Sequence, residues 1–376
     1  MYKKANRIPV ANPYLSPKIS KYVLEAIEAG ELSGNFGRHI NKFETMFSEF
    51  TEAKHSIAVA NGTCALHVAL AALGIKAGDE VIVQTLTNMA SAFAVSYTGA
   101  TPISIDVEED TCNLDPNLIE KLISERTKAI IVVHLFGHPV DMDPVLNIAK
   151  KNNIYVVEDC AEAHGAKYKG KSLGCLGDIG CYSFYANKIV ATGEGGMVTT
   201  NSDSLADRVR QLKSLSYGLG KDRFLHEEIG FNYRMPNTIA AIGCAQLEDV
   251  DFVIKRKREI ASYYNLRLKN ISELSLPVQK DYALNVYWMY HIVLKGKAEG
   301  TRDRITALLI EEGIETRVSF TPLNQQKIYI DQGLTREDSC PVANRIGKNG
   351  FYLPSGPLLT RDQQDKVITS LIKSLN

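Results

Sequence analysis

From residue 56 to residue 200 the chain alternates short apolar runs with amphipathic stretches. The apolar runs fall at 56–60, 80–84, 102–106, 128–134, 154–158, 180–184 and 196–200, and each is predicted as a strand. Helical periodicity fills most of the gaps, near 63–74, 88–98, 115–124 and 142–152. Strands alternating with helices imply a mostly parallel sheet covered on both faces. Ahead of this region, Ser16-Pro17 opens an expected helix that Gly30 closes, with Ile19, Val23, Leu24 and Ile27 as its buried face. Residues 31–37 read as a glycine-containing loop and 39–50 as a second helix.

Beyond the sheet region the pattern predicts a helix near 204–216, a polar loop over 217–228 and one long helix from Pro236 to about Lys269. The charged middle of that helix, 249–259, reads as a solvated face. The domain boundary is placed there, giving a large domain over 1–250 and a smaller α+β domain over 251–376. In the smaller part, strands are expected at 286–294 and 315–320, with helices near 301–312 and 361–374. Ligands of open α/β sheets bind outside the carboxyl ends of the strands. Asn61, Thr85 and Asp159 each fall just past an expected strand end.

Composition narrows the function. The 376 residues suffice for two domains, and shares of 45% hydrophobic and 23% charged residues are those of a globular protein. Lys+Arg and Asp+Glu both number 43, so no net field recruits nucleic acid or an anionic membrane. No apolar run approaches the ~20 residues of a membrane span. No signal-peptide pattern follows the amino terminus. Seven scattered cysteines without a Cys-x-x-Cys pair argue for reduced thiols in a cytoplasmic protein and against a metal site.

The candidate chemistry centres on Lys188, between an apolar run and the glycine cluster Gly193-Glu-Gly-Gly196. Alone, it would read as a solvated turn lysine. Asp159, at the end of another apolar run, changes that reading. A lysine amine can form a Schiff base with an aldehyde, and a carboxylate can keep a pyridine nitrogen protonated; pyridoxal phosphate chemistry needs both. Asn61-Gly-Thr63 opens an expected helix whose free N–H groups and dipole suit a phosphate. The Ser183 hydroxyl, upstream of Lys188, is a second phosphate candidate. Glu158-Asp159 taken alone reads as a helix cap. The polar loop Gly230–Pro236 enters the long helix, and pattern alone leaves its contacts open.

Together, Asn61-Gly-Thr, Glu158-Asp-Cys-Ala-Glu-Ala, Ser183-Phe-Tyr-Ala-Asn-Lys, Gly193-Glu-Gly-Gly-Met and Asn232-Tyr-Arg-Met resemble the pyridoxal-phosphate-dependent nucleotide-sugar aminotransferases of the DegT/DnrJ/StrS type. The resemblance spans nearly the whole chain, with the motifs in family order. Val133-His-Leu-Phe-Gly-His-Pro139, Lys167-Tyr-Lys-Gly-Lys171 and Tyr287-Trp-Met-Tyr290 bring it nearest the branch acting on GDP-linked 4-keto-6-deoxy sugars.

The resemblance implies an α/β, aspartate-aminotransferase-like fold of type I: a mostly parallel seven-stranded sheet flanked by helices. It implies that Lys188 holds pyridoxal 5'-phosphate and later moves the proton between substrate carbon and cofactor. Asp159 would pair with the pyridinium nitrogen, and Glu162 would lie beside the phenolic oxygen. Gly62, Thr63 and Ser183 would hold the phosphate. Asn232 would join them from a second subunit, which implies a homodimer with shared active sites. Arg317 and Asn324 would lie near the nucleotide sugar, and L-glutamate would donate the amine. The family's dehydratases carry histidine in place of the lysine, so Lys188 favours transamination.

Two departures bear on the substrate. Asn88 stands where relatives commonly stack an aromatic ring on the cofactor, leaving Met89 to supply that contact or the stacking weakened. Asn324 stands where the GDP-sugar branch tends to have histidine. UDP- and dTDP-linked keto sugars are the alternative substrates. A cysteine-desulfurase-type lyase would need a mobile reactive cysteine, for which Cys112 and Cys340 are the loop candidates. A regulatory protein of the same fold predicts loss of the lysine or the acid, and both are present.

Overall fold

The computed structural model describes residues 7–217, 222–296, 298–335 and 339–375. The amino-terminal segment 1–6 and part of the expected 217–228 loop lie outside the described residues. The strands of the first part are β1 (His55–Val59), β2 (Glu80–Gln84), β3 (Thr101–Ile105), β4 (Thr127–Val133) and β5 (Tyr155–Asp159). A short ladder of β6 (Lys167–Tyr168) and β7 (Lys171–Ser172) precedes β8 (Ile179–Ser183) and β9 (Gly196–Thr200).

All seven expected strands join one sheet in the order β1-β9-β8-β5-β4-β2-β3. Of the seven, β9 alone runs against the others, pairing antiparallel with both β1 and β8. Apart from the exposed Lys128, β4 is buried along its whole length. This is why the strands read as unbroken apolar runs: a sheet covered on both faces leaves no polar side to alternate with.

The helices of this part are α1 (Ile19–Glu28), α2 (Arg38–Thr51), α3 (Gly62–Ala72), α4 (Ala90–Tyr97), α5 (Ile119–Leu122), α6 (Met142–Asn152) and α7 (Asp203–Lys213). After them come α8 (Asn237–Leu247) and α9 (Val250–Leu268). Two expectations about α1 need correction. It begins at Ile19 with Lys18 at the cap, while the Ser16 hydroxyl accepts only from the Lys18 N–H at 3.3 Å. Its packing on α8 buries Ala26 and leaves Leu24 and Ile27 53% and 55% exposed.

The expected long helix is two helices, broken at Glu248-Asp249. There the Asp249 carboxylate accepts from Tyr14 Oη at 3.2 Å and Lys18 Nζ at 3.1 Å, contacts to distant chain that helical periodicity does not register. Nor is the charged run wholly solvated. Lys257 is buried, its ammonium donating to the carbonyls of Trp288 at 2.7 Å and Ser355 at 2.9 Å.

The remaining strands are β10 (Leu274–Ser275), β11 (Ala283–Leu284), β12 (Tyr290–Leu294), β13 (Arg317–Val318) and β14 (Gly350–Leu353). β11 pairs with β6, and the other four form an antiparallel sheet in the order β10-β12-β14-β13. The expected strand at 286–294 starts only at Tyr290, because Tyr287 takes a left-handed φ of 50°. The helices α10 (Thr301–Glu311) and α13 (Arg361–Leu375) stand where expected; α11 (Lys327–Gln332) and α12 (Pro341–Asn349) are additions. One hydrophobic core surrounds the seven-stranded sheet, and a second gathers Ile8, α9, α10, α13 and the smaller sheet. Among the described residues no helix is long and apolar enough to cross a membrane.

Candidate active site

β5 and β8 lie side by side, and their carboxyl ends bring Asp159 and Ser183 to one edge of the sheet. Asn61, two residues past β1, caps α3 by accepting the Cys64 N–H at 2.9 Å. The first N–H groups of a helix have no partner within it; at α3 these belong to Gly62 and Thr63. A Cβ on Gly62 would stand 2.7 Å from the Ser183 Cβ, so α3 and β8 meet as closely as glycine allows. Past β8 the chain loops out through Lys188 and returns. Gly193 and Gly195, at φ of 91° and 143°, let the Phe184 N–H reach Gly195 O at 2.8 Å.

These pieces border a cavity of about 710 Å³. Gly62, Thr63, Asn88, Asp159, Glu162, Ser183, Lys188 and Arg317 all line it. Two expected site residues do not. Asn232 is exposed and outside this chain's cavity, which its neighbour Tyr233 lines. Asn324 accepts the Thr85 hydroxyl at 3.0 Å, fastening the turn before α11 to the end of β2.

At its centre, Lys188 Nζ is 4.0 Å from the Trp288 ring centroid and 3.9 Å from Glu162 Oε1. The Trp288 indole donates to Asn187 O at 2.9 Å, which fixes the ring against the lysine. Burial lowers the Lys188 pKa against the pull of Glu162 and Asp159. Burial also raises Glu162 to about 7, the Lys188 charge and the Phe136 N–H opposing. Asp159 is raised by burial too, while the Ser91 hydroxyl at 2.7 Å and the Ala161 N–H at 3.1 Å favour its ionised form.

Glu158 and Asp159 do not cap a helix; both close β5 and, as neighbours in a strand, they face opposite ways. Glu158 accepts the N–H groups of Gly174, Leu176 and Gly177 and the ring of His134, at 2.7–3.2 Å. These bonds leave the buried His134, Glu158 and Cys160 group as a structural brace.

The residues fit a phosphate-bearing pyridine cofactor. An open helix end beside two hydroxyls suits the phosphate, a buried carboxylate suits a protonated ring nitrogen, and a lysine of lowered pKa suits an aldehyde. The buried Asn187 Oδ1 and Tyr352 Oη at the cavity wall have no hydrogen-bond partner among the described residues. Asn88 uses its side chain to accept the Ala90 N–H at 3.0 Å, and Met89 turns to Ala92, Leu323 and Tyr329. Neither therefore replaces the missing aromatic, although Tyr97, Tyr185, Tyr233 and Trp288 line the cavity elsewhere. Ser91 and Tyr352 were invisible to sequence pattern, and Trp288 was visible only as part of a resembling motif.

Cys112 and Cys340 are both buried, and burial pushes the Cys112 thiol up to about 12, so neither is the mobile thiolate of a desulfurase.

Comparison with known proteins agrees with this geometry. GDP-perosamine synthase of Escherichia coli O157:H7 is 44% identical over 95% of this chain and 95% of its own. GDP-perosamine synthase of Caulobacter vibrioides is 43% identical over 97% of both. The crystal structure of S. venezuelae DesV in complex with a ketimine intermediate superposes with a TM-score of 0.89 at 32% identity, covering 96% of this chain and 95% of that one. The DegT/DnrJ/EryC1/StrS aminotransferase family model matches residues 13–372. The chain is a transaminase, and it belongs to the DegT/DnrJ/EryC1/StrS aminotransferase family.

Proposed function

We propose that this transaminase moves the amino group of L-glutamate, by way of pyridoxal 5'-phosphate, to C4 of a nucleotide-linked 4-keto-6-deoxy sugar. The substrate is taken as GDP-4-keto-6-deoxy-D-mannose and the product as GDP-perosamine, for O-antigen or other glycan synthesis. The observation that carries the proposal is the convergence of Lys188, its side chain 11% exposed, and buried Asp159 on one cavity, beside the open end of α3. The GDP sugar is supported by the two relatives named above, which match this chain over nearly their full length.

Bound in this cavity, the cofactor would supply an aldehyde to carry the amine and a ring that withdraws electrons from the substrate carbon. Asp159, oriented by Ser91 and the Ala161 N–H, would hold the proton on the ring nitrogen. Gly62, Thr63 and Ser183, which line the cavity, would hold the cofactor's phosphate. Lys188 moves the proton at the substrate carbon, which requires its neutral amine; desolvation favours that form against the pull of Glu162 and Asp159. Glu162 holds or releases a proton 3.9 Å away from it. Trp288 shields this side of Lys188 from water.

The enzyme is proposed to act as a homodimer, with Asn232 of each subunit completing the phosphate site of the other. Leu24, Ile27, Leu32 and Phe36, 53–73% exposed in the single chain, support a covered face here. The break between α8 and α9 is proposed as the division between the large and small domains. A reducing, cytoplasmic setting is proposed from the seven scattered cysteines without a Cys-x-x-Cys pair.

The test is product analysis with nitrogen-labelled glutamate and GDP-, UDP- and dTDP-linked 4-keto-6-deoxy sugars. Label in an amine at C4 of the GDP sugar is the expected result. Label in the UDP or dTDP sugar alone would move the assignment to that nucleotide, and label in none would remove the sugar reading.

A further inference from the structure

Tyr352 lies on β14 directly opposite Arg317 on β13, and directly opposed residues of an antiparallel pair present side chains on one face. Both line the cavity that contains Lys188. The tyrosine is 4% exposed, and its ring is packed by Phe136, His291 and Phe320, with centroids 5.4, 5.5 and 6.3 Å away. Its hydroxyl has no hydrogen-bond partner among the described residues. A buried hydroxyl left so costs stability, and phenylalanine would fill the same space without that cost. The hydroxyl is therefore explained by a partner that arrives with a ligand.

We infer that Tyr352 is a substrate-binding residue whose hydroxyl, beside the Arg317 guanidinium, holds an anionic oxygen of the substrate. Burial first, and then the Glu162 charge, hold the phenol well above its usual pKa against the pull of Arg317, so it remains a donor. A donor next to a guanidinium suits a carboxylate or a phosphate oxygen. The carboxylate of an amino donor and the diphosphate of a nucleotide sugar share that chemistry. The inference rests on the transaminase reading of the cavity.

Trp288, the only tryptophan of the chain, lines the same cavity and reports its occupancy by fluorescence. The cofactor-loaded wild type and Tyr352→Phe are each titrated with GDP, and separately with glutarate, which has the two carboxylates of glutamate and no amine. Melting temperatures are measured alongside. The expected result is a Tyr352→Phe variant with an unchanged or raised melting temperature and about tenfold weaker binding, the size of a lost hydrogen bond to a charged group. Weakened GDP binding assigns the phosphate, and weakened glutarate binding assigns the carboxylate. Unaltered binding of both would overturn the inference, while leaving the transaminase reading intact. A lowered melting temperature would overturn it too, by showing that the hydroxyl has a structural partner. A wild type that binds glutarate but not GDP would remove the nucleotide-sugar reading and leave the glutarate titration to test Tyr352; one that binds neither would remove the anion subsite.

Discussion

Glu162 is buried, the Lys188 side chain is 11% exposed, and the two lie 3.9 Å apart; for each the low-dielectric surroundings favour the neutral form. The folded, ligand-free protein therefore keeps the Glu162 proton up to about pH 7, whereas the unfolded chain releases it near 4.5. Folded protein binds more protons in that window, so the Glu162 contribution is fully present below the unfolded value and is lost as pH rises through 7. Glu162→Gln should remove this dependence. Thermal melts of the cofactor-free proteins should show the variant gaining on the wild type, by up to ~3 kcal/mol, between about pH 4.5 and 7. A constant gap would mean that Glu162 is ionised throughout. Lys188→Ala should lose both turnover and the visible band given by added pyridoxal phosphate. Asp159→Asn should still bind the cofactor but turn over at least ~100-fold more slowly, because a weaker electron sink costs several kcal/mol of barrier; steady-state rates and cofactor titration check both. Lys188 and Asp159 could be read from the sequence because each is flagged by its own local pattern, a strand end or a glycine cluster. Ser91 and Tyr352 reach the site only through tertiary contacts, from α4 and β14, and no periodicity marks them.

Among the elements, the approach of α3 to β8 is the tightest constraint on the phosphate site. Gly62→Ala would force the new Cβ against Ser183 at 2.7 Å, displacing one of the two. Overpacking of this kind costs roughly 1–3 kcal/mol, and the moved helix end should weaken cofactor binding about tenfold or more. Cofactor titration monitored by absorbance measures this, and unchanged affinity would place the phosphate elsewhere. The seven strands of the large sheet were legible because burial on both faces leaves a continuous apolar run. The break between α8 and α9 was not, since Glu248 and Asp249 fit helical spacing and are held apart from it by Tyr14, Lys18 and Tyr22. The two-residue strands β10 and β11 are too short to show any period.

At the scale of the whole molecule, an apolar stripe on α1 was legible, but its partner was not. Leu24 and Ile27 face away from the core, and the reading that covers them is a second copy of the chain. Light scattering should give twice the mass of the chain, and Ile27→Asp with Phe36→Asp should give monomers that lose activity through the separated Asn232. Active monomers would remove the shared site. Whether Lys188 anchors a cofactor cycling between glutamate and a keto sugar can be read from one absorbance titration. The purified protein is loaded with pyridoxal phosphate, and then given glutamate and a GDP-linked 4-keto-6-deoxy sugar in turn. The expected result is a visible band, absent in Lys188→Ala, that glutamate removes and the keto sugar restores. A band that forms without Lys188, or one that glutamate leaves unchanged, would contradict it.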